Sequence, residues 1–98
     1  MEERISKLLP AKIQELRKMK RLNQKHVAQL LGVSEAMYSR MENGERAIQL
    51  SQIGQIAKIL GANVKDLRSL CLADKIKEEA KDYSKKEIND ALKVFNNA

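Results

Sequence analysis

The stretch Asn23–Gly44, NQKHVAQLLGVSEAMYSRMENG, decides the fold. Asn23 is a good helix N-cap, because its side-chain oxygen can accept a free amide of the first turn. Gln24–Leu31 then reads as a short helix with Val27, Ala28, Leu30 and Leu31 as its apolar set. Gly32 can take a positive φ and end that helix. Ser34 caps a second helix over about 35–43, closed by Asn43-Gly44, with Tyr38 and Met41 as an inward pair at i, i+3. The outer face of this second helix is left free. It carries Glu35, Ala36, Met37, Ser39, Arg40 and Asn43.

Upstream, Pro10 suits the first turn of a helix, where a missing N–H costs nothing. The pattern predicts a helix over about 10–21, with Ile13, Leu16, Met19 and the stem of Lys20 facing inward. Residues 1–9 form a charged N-terminal extension in which Ile5, Leu8 and Leu9 lie on helical spacing, either a short turn of helix or a frayed end. Downstream, 45–50 reads as a loop and 51–60 as a helix with Ile53, Ile56, Ala57 and Leu60 on one face. Gly54 in its interior is unfavourable by about 1 kcal/mol, which suggests close packing against a neighbour. Gly61 ends that helix. Asn63 with Asp66 resembles a capping box opening a helix over about 64–72.

The tail, residues 73–98, has a different character. Ile76, Ala80 and Tyr83 stand at i, i+4, i+7, and so do Ile88, Leu92 and Phe95, widened by Ala91 and Val94. Ser84 with Glu87 is a second capping box, so one or two amphipathic helices with a break near Tyr83-Ser84 are expected.

With 98 residues, one proline, four glycines and no alternating β-branched run, the chain reads as an all-α domain over 10–72 plus the appendage. The net charge of +6 favours a polyanionic partner, nucleic acid first. Residues 1–31 hold eight Lys/Arg against three Asp/Glu, residues 32–70 five against four, and residues 71–98 six against six. The basic excess therefore precedes the two short helices. Cys71 is the only cysteine and reads as a small core residue rather than a nucleophile. His26 has no His or Cys nearby, so no metal or other cofactor is expected. No paired nucleophile and base and no phosphate loop is present, so no enzyme is expected. No apolar run approaches the roughly 20 residues of a membrane span. The N-terminus carries no signal-peptide h-region, and a cytoplasmic protein, nucleoid-associated when bound to DNA, is expected.

To read bases, a helix must enter the major groove with its outer face free, held across the DNA backbone by a second element. Gln24–Leu31 and the turn can do this, if Ala28 stays small where the next helix crosses it. The run N-Q-x-x-V-A-x-x-x-G-V-S-x-x-x-Y-S-R-x-E-N-G resembles the helix-turn-helix of the Cro and phage-repressor (XRE-like, Cro/C1-type) family. The later I-x-x-I-A-x-x-L-G segment extends the match, which covers about residues 11–70. The resemblance implies a five-helix lambda-repressor-like DNA-binding domain, here with a C-terminal helical extension. It implies that Gln24 grips a phosphate and that Glu35, Ala36 and Met37 touch base edges, with Ser39 and Arg40 next along the groove. Asn43 and Arg46 would lie near the phosphate backbone. Arg17 would pair with Glu42, the alternative being two solvated charges.

Arg40 can donate two parallel hydrogen bonds to guanine or hold a phosphate. Ala36 can meet a thymine methyl, and Met37 a methyl or the groove floor. Glu35 can accept from cytosine or favour the helix dipole. Ala47-Ile48 stand where the family often has a proline, and Ala36 and Met37 where it often has polar residues, so DNA shape is expected to share the readout. The expected function is a sequence-specific transcriptional regulator, a repressor binding a roughly palindromic double-stranded site as a homodimer. The tail would then dimerise, fold back on the core, or bind a protein partner as in an antitoxin or adaptor.

Overall fold

A computed structural model describes residues 7–98; Ile5 lies outside the described residues. The described chain is helical, without strands. Its elements are α1 (Leu8–Met19), α2 (Gln24–Leu31), α3 (Glu35–Glu42), α4 (Leu50–Leu60), α5 (Val64–Glu79) and α6 (Lys85–Asn96).

Helix α1 starts two residues ahead of Pro10, which still falls in the first turn. Its N-cap residue, Lys7, offers no side-chain acceptor. The free amides of Leu8 and Leu9 instead donate to Asp74 of α5, at 2.7 and 2.9 Å. One carboxylate thus satisfies two orphan donors and meets the positive end of the helix dipole. Asp74→Ala should lower stability by about 1–2 kcal/mol, read as a shifted urea midpoint with unchanged slope.

At its other end α1 closes through Arg21, the one non-glycine residue at positive φ (58°) among the described residues. The Leu22 amide turns back to the Arg17 carbonyl at 3.1 Å. Met19, expected to face inward, is 70% exposed. The helix leaves the core after Arg17, one turn earlier than its apolar spacing suggests.

Helices α2 and α3 are capped by Asn23 and Ser34, which accept the amides of His26 and Met37 at 2.7 and 3.0 Å. Gly32 takes φ 81° between them, and the Val33 amide bonds the Ala28 carbonyl at 3.0 Å. Ala28 is buried where the two helices cross. Leu30, placed in the apolar set, is about half exposed. Gln55 of α4 reaches the Leu30 carbonyl at 2.8 Å and satisfies one of the open acceptors at the end of α2.

Ile13, Val27, Tyr38, Met41, Ile53, Ile56, Leu60 and Leu67 form the fully buried centre, so all of the first five helices meet in one core. Cys71 lies at its edge, buried as a free thiol. Gly54 departs from expectation. It is exposed, and a Cβ placed on it meets no atom within 4 Å. No packing reason holds a glycine there, so Gly54→Ala should raise stability by about 1 kcal/mol. For a domain of this size, the thermal midpoint should rise by roughly 4–8 °C.

Helix α5 is longer than the stretch 64–72 read from the sequence. No glycine or proline interrupts 64–79, and Asp74 is tied to α1, so the helix carries the first half of the tail with it. Helix α6 follows a turn at 80–84, with Ser84 and Glu87 capping each other's amides at 3.1 and 2.9 Å. It contributes no buried residue.

Candidate nucleic-acid interface

Two capped helices fix the platform, and a buried ion pair fixes its angle. Arg17 of α1 meets Glu42, the last residue of α3, through two hydrogen bonds: Nε to Oε2 at 2.6 Å and Nη2 to Oε1 at 3.0 Å. A third guanidinium donor, Nη1, holds the Leu22 carbonyl at 2.8 Å. The bidentate fork sets orientation as well as distance. Glu42 has no exposed side-chain surface and Arg17 little, so the pair works away from water.

Burial pushes the Glu42 carboxyl upward, but the hydrogen bonds from Arg17 and Gln24, with the Tyr38 hydroxyl close by, outweigh it and hold it below the ordinary glutamate value. The bond to Glu42, against the opposing effect of burial, holds Arg17 above its own ordinary value. Burial, reinforced by Glu42, raises the Tyr38 phenol, which stays neutral. Its hydroxyl is buried without a hydrogen bond of good geometry.

Gln24, at the start of α2, is drawn into the same network. Its Nε2 donates to Glu42 Oε1 at 3.0 Å. A primary amide has two N–H donors, so the second remains for a ligand in front of the α2 N-terminus. The sequence pointed to a phosphate for Gln24 and to Arg17 for Glu42 separately. It did not show that one carboxylate would hold both, because three residues on three helices must converge.

Along α3, Glu35, Ala36, Arg40 and Asn43 are exposed, while Met37 and Ser39 are half-buried. Met37 packs against the core edge, so only part of its side chain is available outward. Among the described residues the Arg40 guanidinium makes no hydrogen bond or ion pair and stands free. Its backbone carbonyl accepts the Glu45 and Arg46 amides at 2.9 and 3.2 Å, folding the following loop against the end of α3.

Arg46 is exposed on that loop, and Gly44 takes φ 79°. Lys7 Nζ holds the Gly44 carbonyl at 2.9 Å. Ile48, standing near the position of the family's frequent proline, is buried and pins the loop by its side chain instead. Lys18, Lys20, Arg21 and Lys25 surround the α1–α2 junction, all exposed. The interface thus carries exposed cations beside the α2 N-terminus, and Arg40 with Arg46 at the end of α3, which the Gln24–Glu42 bond ties to that N-terminus. That combination suits a phosphate backbone. No group of three or more His, Cys, Asp or Glu that could hold a metal occurs among the described residues.

The helix-turn-helix family model HTH_3 matches residues 13–67, more than half of the chain. The chain belongs to the HTH_3 helix-turn-helix family. The matched region runs from Ile13 in α1 to Leu67 in α5 and includes every part of the platform. Among solved structures, the clp gene regulator ClgR from Corynebacterium glutamicum has a similar fold. It shares 20% identity over 88% of this chain and 87% of that one, with a TM-score of 0.58. No curated protein sequence matches the chain. As an HTH_3 protein the chain is of the DNA-binding regulator type, with α2 and α3 as its helix-turn-helix. No described helix is long and apolar enough to cross a membrane.

Proposed function

We propose that this chain is a sequence-specific transcriptional regulator, a repressor that binds a roughly palindromic double-stranded site as a dimer. Helix α3 enters the major groove. Arg40 and Glu35 address base edges there, and Ala36, Met37 and Ser39 complete the contact face. Gln24, Asn43 and Arg46 hold phosphates beside it. The observation that carries this reading is the free Arg40 guanidinium on the outer face of a helix whose C-terminal end is locked by the Arg17–Glu42–Gln24 network.

Arg40→Ala tests it. If Arg40 reads a base, the variant loses about 1–3 kcal/mol of discrimination at one base pair and keeps its preferences elsewhere. If all sequences weaken equally and the slope of log affinity against log salt drops by about one, Arg40 is a phosphate contact. No change in either quantity removes Arg40 from the interface.

A further inference from the structure

The chain has three aromatic residues, Tyr38, Tyr83 and Phe95. Tyr38 is buried, but Tyr83 and Phe95 are 61% and 76% exposed. Both lie on the tail, on the rim of an open notch of about 680 Å³ between α5 and α6. Leu72, Ile76, Ile88 and Leu92 line the same notch. Aromatic anchors at this density mark an interface rather than a solvated surface.

Helix α6 also needs a cover on energetic grounds. It has 12 residues and buries none of them. A helix of that length is marginal alone in water, even when well capped. Its apolar positions Ile88, Ala91, Leu92 and Phe95 follow the 3–4 spacing of a helix-pairing seam, and Ile76, Ala80 and Tyr83 repeat it on α5 and the turn.

We infer that the occupant of this notch is a second copy of the chain, with α6 of each copy laid between α5 and α6 of the other about a two-fold axis. The inference rests on the dimeric reading above and gives it a surface. Charge favours a like partner. Residues 71–98 carry six cations and six anions in a chain of net +6. Several of these charges are already paired locally, Lys81 with Glu78 and Lys86 with Asp90. Two such faces meet without net repulsion, and neither offers the charge excess that would select a strongly acidic or basic partner.

Area agrees. The five most exposed apolar side chains of the notch, Leu72, Ile76, Tyr83, Leu92 and Phe95, present on the order of 600 Å². With a polar rim this approaches the roughly 800 Å² per partner of a standard stable interface. A two-fold arrangement also suits two α3 helices addressing half-sites about 34 Å apart.

Sedimentation of the full chain without DNA tests the inference. The intact protein should run as a dimer of about twice its 11.2 kDa mass at micromolar concentration. Leu92→Glu and Phe95→Glu place a charge on the seam and should raise the dissociation constant by roughly 100-fold or more. Val94→Glu is the control. Val94 is 71% exposed on the same helix but does not line the notch, so it should shift the constant less than about threefold. The core should remain folded in all three, because α6 supplies no buried residue; in Leu92→Glu and Phe95→Glu the helical signal should fall by no more than the share of α6, which has then lost its cover.

A chain still monomeric at about 100 micromolar, which means a dimer far weaker than a micromolar dissociation constant, overturns the inference. So does a dimer indifferent to Leu92→Glu and Phe95→Glu, and so does a dimer disrupted equally by Val94→Glu. Binding of the monomeric variants to a duplex carrying one half of the selected site reads the DNA function separately. Half-site binding retained with the dimer lost supports both readings. A monomeric wild type that still binds the half-site overturns the tail interface alone.

Discussion

Arg17→Met should lower the stability of the domain by about 3–5 kcal/mol, because it strands the Glu42 carboxylate in the interior without its counter-charge. For a domain of about this size that is a fall of roughly 15 °C or more in thermal midpoint. The loss comes from Glu42, whose side chain has no exposed surface, and not from any large net gain of the pair over water. The double variant Arg17→Met/Glu42→Leu should therefore recover most of the stability, since apolar replacement of both partners is often neutral or better. It should also lose DNA affinity, because Gln24 then has no Glu42 oxygen to orient it. Separating stability from binding in this way assigns the pair its positioning role. Arg17→Met with wild-type stability would show that the pair is solvated and adds nothing.

The pH dependence follows from the same carboxylate. The folded Glu42 sits below its ordinary value, so the native state holds the charged form more tightly than the unfolded chain does. The resulting stability is fully present above the unfolded glutamate value of about 4.3 and is lost as pH falls through the folded one. Arg17 is raised and stays charged throughout, so it adds no slope near neutrality. Urea midpoints of the wild type should fall on the acid side. The double variant should lose part of that slope.

Tyr38→Ala should cost about 3–5 kcal/mol, the range for emptying the site of a fully buried aromatic side chain. Tyr38 has no exposed surface and is the largest of the fully buried residues. It belongs to the helix that carries Arg40, so the cavity opens directly beneath the recognition face. Affinity should fall with stability, even at temperatures where the variant remains folded, because α3 loses its anchor while keeping every exposed residue. A urea titration with a parallel DNA titration checks both. Less than 1 kcal/mol of destabilisation would mean that α3 is not anchored through this residue.

The platform was legible because its signals are local. Asn23, Gly32, Ser34, Gly61, Asn63 and Ser84 each mark a boundary through one cap or one glycine, and the structure has a boundary at each. Contacts across the fold were not legible in that way. Asp74 caps a helix 65 and 66 positions upstream, and no spacing rule reaches so far. The same contact carries α5 past the stop expected near Leu72. Ile48 supplies by burial the restraint that a proline would supply through its ring.

Gly54 misled for the opposite reason. A glycine inside a helix usually signals a close neighbour, and here none lies within 4 Å. Met19 and Leu30 followed the apolar period but fell where their helices leave the core. At the interface, the family resemblance marked Gln24 for a phosphate and Arg17 with Glu42 as a pair. Their convergence on a single carboxylate depended on how α1, α2 and α3 cross.

Selection of binding sites from random double-stranded DNA, at one stated salt concentration, is the most direct test that α3 reads sequence. The account predicts a recovered motif of two inverted half-sites about one helical turn apart, bound at least roughly tenfold more tightly than random duplex. Arg40→Ala should degrade that motif at one position in each half. Recovery of no motif above the random background, with affinity governed by salt alone, would contradict it.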